Sequence, residues 1–129
     1  MSTSLGGTVS PSLRPEYGWG SIESDEPAIA SGPWFQYHGD QFTLPVGATP
    51  LARNDSGLQA FSFGHSLGVQ FHPEVTASLL ESWYAVGGDR KLIDEGIDPD
   101  LLIEETSRLA PVSQPALERL VDWWLDGNA

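Results

Sequence analysis

The stretch Gly68-Val69-Gln70-Phe71-His72-Pro73-Glu74-Val75-Thr76 sets an imidazole and a carboxylate two residues apart at the end of a short apolar run. On extended backbone, side chains at i and i+2 point to one side. Pro73 fixes its own φ and biases His72 toward extended geometry. Glu74 can then accept a hydrogen bond from one ring nitrogen of His72 and leave the other basic. This is how a third group orients a general base beside a nucleophile. The same pattern also describes a strand-end histidine satisfied by its neighbour, with the glutamate capping a following helix. The 129 residues contain no cysteine for such a base to activate.

Other residues offer chemistry on paper. Gly64-His65-Ser66-Leu67-Gly68 matches the hydrolase elbow Gly-x-Ser-x-Gly. That motif works at a sharp strand-to-helix turn, with an acid and then a histidine later in the chain. Here it falls between two strand patterns, and residues 67–71 hold no acid, so Ser66 reads as a hairpin turn residue and His65 as exposed beside it. His38, His65, His72 and Glu74 contain the makings of a two-imidazole, one-carboxylate metal set. None has helical ligand spacing such as His-Glu-x-x-His, and no metal or cofactor is expected. A metal-dependent hydrolase stays as an alternative. There is no Gly-x-x-x-x-Gly-Lys phosphate loop, and Gly18-Trp19-Gly20 is only a fragment of a dinucleotide fingerprint.

The elements that must carry these residues divide the chain in two. Residues 1–75 are rich in aromatics, glycine and proline, with short period-2 runs that predict about five strands: Tyr17–Ile22, Pro33–His38, Thr49–Arg53, Gln59–Phe63 and Leu67–Phe71. The last two are joined through Gly64-His65-Ser66 in hairpin fashion. Residues 76–129 read as helical. Thr76 is an expected N-cap before Leu79, Leu80, Trp83 and Tyr84. Asp98-Pro99 opens a helix carrying Leu101, Leu102 and Leu109. A separate last helix from about Gln114 carries Leu117, Leu120, Val121, Trp124 and Leu125 and stops at Gly127. These stripes read as core.

The formal net charge is −12, spread over both halves. Phosphate backbones and anionic membrane surfaces repel such a chain, so neither nucleic acid nor membrane is an expected partner. No run approaches the ~18 apolar residues of a membrane span. The N-terminus lacks a basic, apolar leader, and the cytoplasm is the expected compartment. Hydrophobic residues at 40% and five tryptophans point to a folded domain.

The context of His72 is longer than a dipeptide. Gly68-Val69-Gln70-Phe71-His72-Pro73-Glu74 resembles, at every position, the signature closing the active site of class I glutamine amidotransferases. Trp34-Phe35-Gln36-Tyr37-His38-Gly39-Asp40 resembles the segment ending in His-Gly-Asp of the GMP synthase-like members. Glu16-Tyr17-Gly18-Trp19 is similar to their Glu-x-Gly-Trp strand. The segments between these motifs, and the tail from Asp98-Pro99 through Arg108-Leu109-Ala110-Pro111, are similar as well. The resemblance implies an α/β chain with a partial class I glutamine amidotransferase (flavodoxin-like) fold, about five strands followed by a helical C-terminal region in one incomplete domain, 1–129.

It also implies a chemistry. In the family a cysteine on a strand-to-helix elbow attacks the glutamine side-chain amide. A γ-glutamyl thioester forms, ammonia leaves, and water hydrolyses the thioester. By the resemblance His72 is the general base and acid and Glu74 its orienter. Tyr37, His38 and Gly39 lie beside the bound glutamine, largely through backbone groups, with Asp40 a further contact. The family's elbow precedes a helix ending in Leu-Gly-Gly, which Leu5-Gly6-Gly7 resembles. The elbow, its cysteine and the first parallel strands are therefore expected to be missing, and the chain alone to be inactive. L-glutamine or a γ-glutamyl compound is the expected ligand. The expected partner is a chain supplying the N-terminal half, or a second copy. The alternative is a non-catalytic remnant kept for binding or assembly.

Overall fold

The computed structural model describes residues 1–128. Six strands precede three helices: β1 (Val9–Gly20), β2 (Glu23–Ser24), β3 (Trp34–Phe42), β4 (Thr49–Asn54), β5 (Gly57–Phe63), β6 (Ser66–Val69), α1 (Ala77–Tyr84), α2 (Asp89–Asp94) and α3 (Pro99–Trp123). β1 pairs with β3 in one ladder, and the other sheet runs β2-β4-β5-β6. All these pairings are antiparallel.

β1 begins eight residues before the expected Tyr17 and includes Pro11 and Pro15. A proline is tolerated there because β1 is an edge strand with one partner. The ladder is broken in the middle: Asp40 faces Pro11 and His38 faces Glu16, so residues 12–15 bulge out and Gly39 has no partner on β1. The β5–β6 turn is the two-residue Gly64-His65, with Phe63 opposite Ser66. Gly64 sits at φ 58, the left-handed value that the first position of this hairpin type requires. Ser66, expected in the turn, is instead the first residue of β6, because the turn needs only two residues.

Alternation along β3 separates the core into two clusters. Trp34 joins Ile22, Ile29, Leu51, Ala52, Ala60, Phe71, Ala116 and Leu120 on one face. Its neighbour Phe35 joins Val75, Leu80, Leu92 and Leu102 on the other. α3 reaches both: Leu102 near its start packs in the second cluster, and Ala116 and Leu120 near its end pack in the first.

The two helices expected after Asp98 are one. α3 runs for 25 residues and contains both Pro111 and Pro115. The prolines are four apart and both exposed. The carbonyls they leave unpaired therefore face water, which satisfies them at little cost. α2 was not expected at all. It is six residues long, too short for a clear period. The caps were legible. The Asp98 carboxylate accepts from the backbone N–H of Asp100 at 2.9 Å, and the Thr76 hydroxyl accepts from that of Leu79 at 3.1 Å. Thr76→Ala is expected to cost about 1 kcal/mol, read as a lower urea midpoint at unchanged m-value.

Candidate functional site

His72 reaches its place by a strand change. After β6, the Gln70 N–H donates to the Gln59 carbonyl at 2.8 Å, and the His72 N–H donates to the Phe35 carbonyl at 2.8 Å. The chain thus steps from the edge of β5 onto β3. Phe71 stacks on Trp34 with centroids 4.7 Å apart in the first cluster. His72, one residue on, meets the other cluster: its ring lies edge-on to Trp83 at 5.2 Å and to Phe35 at 6.5 Å.

The expected extended link from His72 to Glu74 is a turn instead. The Val75 N–H donates back to the His72 carbonyl at 3.4 Å, with Pro73 at the second turn position, which its fixed φ favours. The contact nevertheless forms. His72 Nδ1 lies 2.9 Å from Glu74 Oε1. A carboxylate only accepts, so Nδ1 carries the proton and Nε2 is the ring's basic nitrogen. The two side chains are 32% and 54% exposed. A pair this wet contributes below about 1 kcal/mol to stability; its effect is to fix the ring.

Tyr37, His72, Trp83, Val86, Gly87 and Gly88 line an open cleft of about 480 Å³. Its walls are held by aromatic contacts: Tyr37 is edge-on to Trp83 at 5.8 Å and to Tyr17 at 5.3 Å. The Tyr37 hydroxyl donates to the Gly88 carbonyl. Burial, with help from Tyr17 and Asp89, pushes the Tyr37 phenol above its ordinary value, so it remains a donor. Trp83, read from sequence as core, forms one wall. Gly87 and Gly88 form the rim, and only their position after an aromatic helix end hints at it.

Of the other expected site residues, Gly39 adjoins Tyr37 on β3; a Cβ there would sit 3.2 Å from the Tyr17 hydroxyl. His38 points to the opposite face of β3 from Tyr37. Its Nδ1–H donates to the Asp40 carbonyl at 3.0 Å, and its Nε2 lies 3.1 Å from Glu16 Oε2. The Asp40 side chain is exposed. Among the described residues no three His, Cys, Asp or Glu side chains gather as metal ligands. Among the described residues no helix is long and apolar enough to cross a membrane.

Glu16 is the residue the sequence left without a role. It also accepts from Asn54 Nδ2 at 2.7 Å and from Gln59 Nε2 at 3.1 Å. Burial alone raises its pKa, but these donors and the charge of His38 outweigh it and hold the carboxyl below its ordinary value. A lowered folded-state pKa contributes stability that is complete above the unfolded value and lost as pH falls through the folded one. Wild type is therefore expected to lose stability below about pH 4.5 more steeply than Glu16→Gln. Urea midpoints at stepped pH check this, and the comparison cancels the general relief of negative charge.

No protein-family model matches the chain. It is 38% identical over 91 residues to the glutamine-hydrolysing GMP synthase of Thermomicrobium roseum, covering 64% of this chain and 17% of that protein. It is 40% identical over 90 residues to that of Crocosphaera subtropica, covering 61% and 16%. A solved glutamine amidotransferase from Thermotoga maritima superposes with a TM-score of 0.81 at 32% identity, over 96% of this chain and 57% of that one. A glutamine amidotransferase from Methylobacillus flagellatus, at 19% identity and a TM-score of 0.80, shares the fold. The chain thus spans about a sixth of the GMP synthases it matches and a little over half of the solved chains.

Proposed function

We propose that this class I glutamine amidotransferase-like chain supplies the general base and its orienting carboxylate for hydrolysis of the glutamine side-chain amide, or of a related γ-glutamyl amide. His72 Nε2 takes the proton of the nucleophile and returns it to the departing ammonia; Glu74 holds the ring through Nδ1. The carrying observation is the 2.9 Å contact between His72 Nδ1 and Glu74 Oε1 beside an open cleft. The backbone at Tyr37, His38 and Gly39 borders the substrate, with Asp40 at its margin. The nucleophile is a cysteine from outside these 129 residues, which contain none. It comes either from elsewhere in the same polypeptide or from a partner chain.

Amide-resolved NMR titration tests the binding half of this reading. L-glutamine is expected to shift Tyr37, Gly39 and the His72 ring saturably, and L-asparagine, one methylene shorter, to shift them much less. Equal responses, or none at millimolar ligand, would contradict it.

A second reading, assembly without chemistry, is favoured by one observation. Leu67, Val69, Pro73, Leu117, Val121 and Trp124 line an apolar groove of about 200 Å³ beside β6, one of the two edge strands of its sheet. An unpaired edge with apolar neighbours invites another chain. That chain is either the one bearing the nucleophile or a second copy. A chain that sediments as a dimer and ignores L-glutamine would favour this second reading.

A further inference from the structure

We infer that Glu16 and His38 are a positioning pair, set behind the cleft, that holds the Tyr37-His38-Gly39 backbone in its binding geometry. The inference rests on the glutamine reading of the site. It starts from the break in the β1–β3 ladder. Strand pairing normally fixes a peptide through its own N–H and C=O groups, but β1 offers Gly39 no partner, because residues 12–15 bulge away between Pro11 and Glu16. Of the stretch expected beside the ligand, Tyr37 and His38 are paired with Tyr17 and Glu16, and Gly39 is the residue the ladder does not hold.

Side chains hold it instead. The His38 Nδ1–H reaches past Gly39 to the Asp40 carbonyl at 3.0 Å, closing the backbone around that glycine. The ring's other nitrogen meets Glu16 Oε2 at 3.1 Å, with the histidine side chain only 9% exposed. That contact lacks the alignment of a full hydrogen bond and is attractive when both ring nitrogens carry protons. Glu16 is itself fixed from a second sheet by Asn54 of β4 and Gln59 of β5. Gln59 also donates to Asn54 Oδ1 at 3.0 Å and accepts from Gln36 Nε2 at 3.0 Å. Gln36 and Gln59 are 2% and 1% exposed. The hub thus ties β1 and β3 to β4 and β5 and ends at the Asp40 carbonyl, one residue past Gly39.

Stability alone does not explain such a hub. Replacing a buried charge pair by well-packed apolar side chains is often neutral or stabilising, so such pairing is by itself weak evidence for a stability role. Of the stretch it borders, Tyr37 lines the cleft. Glu16 and His38 are directly opposite across the strands, as are Tyr17 and Tyr37 one residue on. The second pair points to the other face, where Tyr37 meets Trp83.

The test compares wild type, Glu16→Gln and Glu16→Asp by NMR. The amide variant keeps the shape and loses the charge. It is expected to shift or broaden the Tyr37 ring, the Gly39 amide and the Trp83 indole, while the Trp34 indole, bonded to the Ala30 carbonyl in the first cluster, stays put. Affinity for L-glutamine is expected to fall about tenfold, and Glu16→Asp to recover part of both effects. Wild-type positions for Tyr37 and Gly39 in folded Glu16→Gln would overturn the inference. Should Glu16→Gln not fold, His38→Gln is held to the same outcomes. Loss of fold in both would overturn positioning in favour of a structural role. If wild type binds no glutamine, the reading of the site fails, while the resonance comparison still decides the hub.

Discussion

His72→Ala is expected to abolish ammonia release by any preparation in which this chain completes a glutaminase, lowering the rate by about 10²- to 10⁴-fold, the usual contribution of a positioned general base. The side chain is 32% exposed and lies outside both buried clusters, so the loss is one of chemistry. The melting temperature is expected to move by only a few degrees, consistent with a cost near 1 kcal/mol. Glu74→Gln should lower the rate less. Its amide still reaches Nδ1, but it can present a donor where the ring needs an acceptor, and its oxygen holds the Nδ1–H form less firmly. Steady-state rates and thermal melts on the same samples check both. A rate loss matched by unfolding would remove His72 from the chemistry.

Trp34→Ala is the largest expected effect on stability. Trp34 is completely buried, stacks on Phe71 at 4.7 Å, and satisfies its indole N–H on the Ala30 carbonyl at 2.8 Å. Truncating a buried aromatic costs about 3–5 kcal/mol. A domain of this size has only about 5–15 kcal/mol in total, so the variant stands near the edge of folding. The damage also reaches the site, because Phe71 immediately precedes His72 and is the only residue between it and Gln70, whose N–H holds the chain to β5. Urea unfolding at constant m-value measures the cost. A loss under about 1 kcal/mol would mean that the first cluster does not carry the fold.

How far the sequence was legible depended on range. The His72–Glu74 contact was readable because both partners lie within three residues. Even so, the link is a turn at Pro73, since a proline favours extended backbone before it and a turn's second position equally well. The caps at Thr76 and Asp98 were readable for the same local reason. α3 reads as two helices in the sequence because its apolar residues fall in two groups, Leu101 to Leu109 and Leu117 to Leu125, and only the folded chain shows one helix running through Pro111 and Pro115. β1 was cut short because its first half, Val9 to Pro15, lacks alternation and contains a bulge. The hub around Glu16 was invisible: Asn54 and Gln59 are about forty residues away, and only strand register brings them together. His38 was expected beside a ligand through its backbone. Its side chain lies on the opposite face of β3 from Tyr37, which parity along the strand already fixed once Tyr37 was placed in the cleft.

Ammonia release from L-glutamine is the decisive measurement. It is made on this chain alone, on the chain joined by or mixed with a polypeptide carrying a Gly-x-Cys-x-Gly elbow, and on the same mixture with His72→Ala. No release from the chain alone, release from the mixture, and its loss with His72→Ala are the predicted results. Robust release from the chain alone, or release from the mixture that survives His72→Ala, would contradict the assignment of His72 as the base serving an outside cysteine.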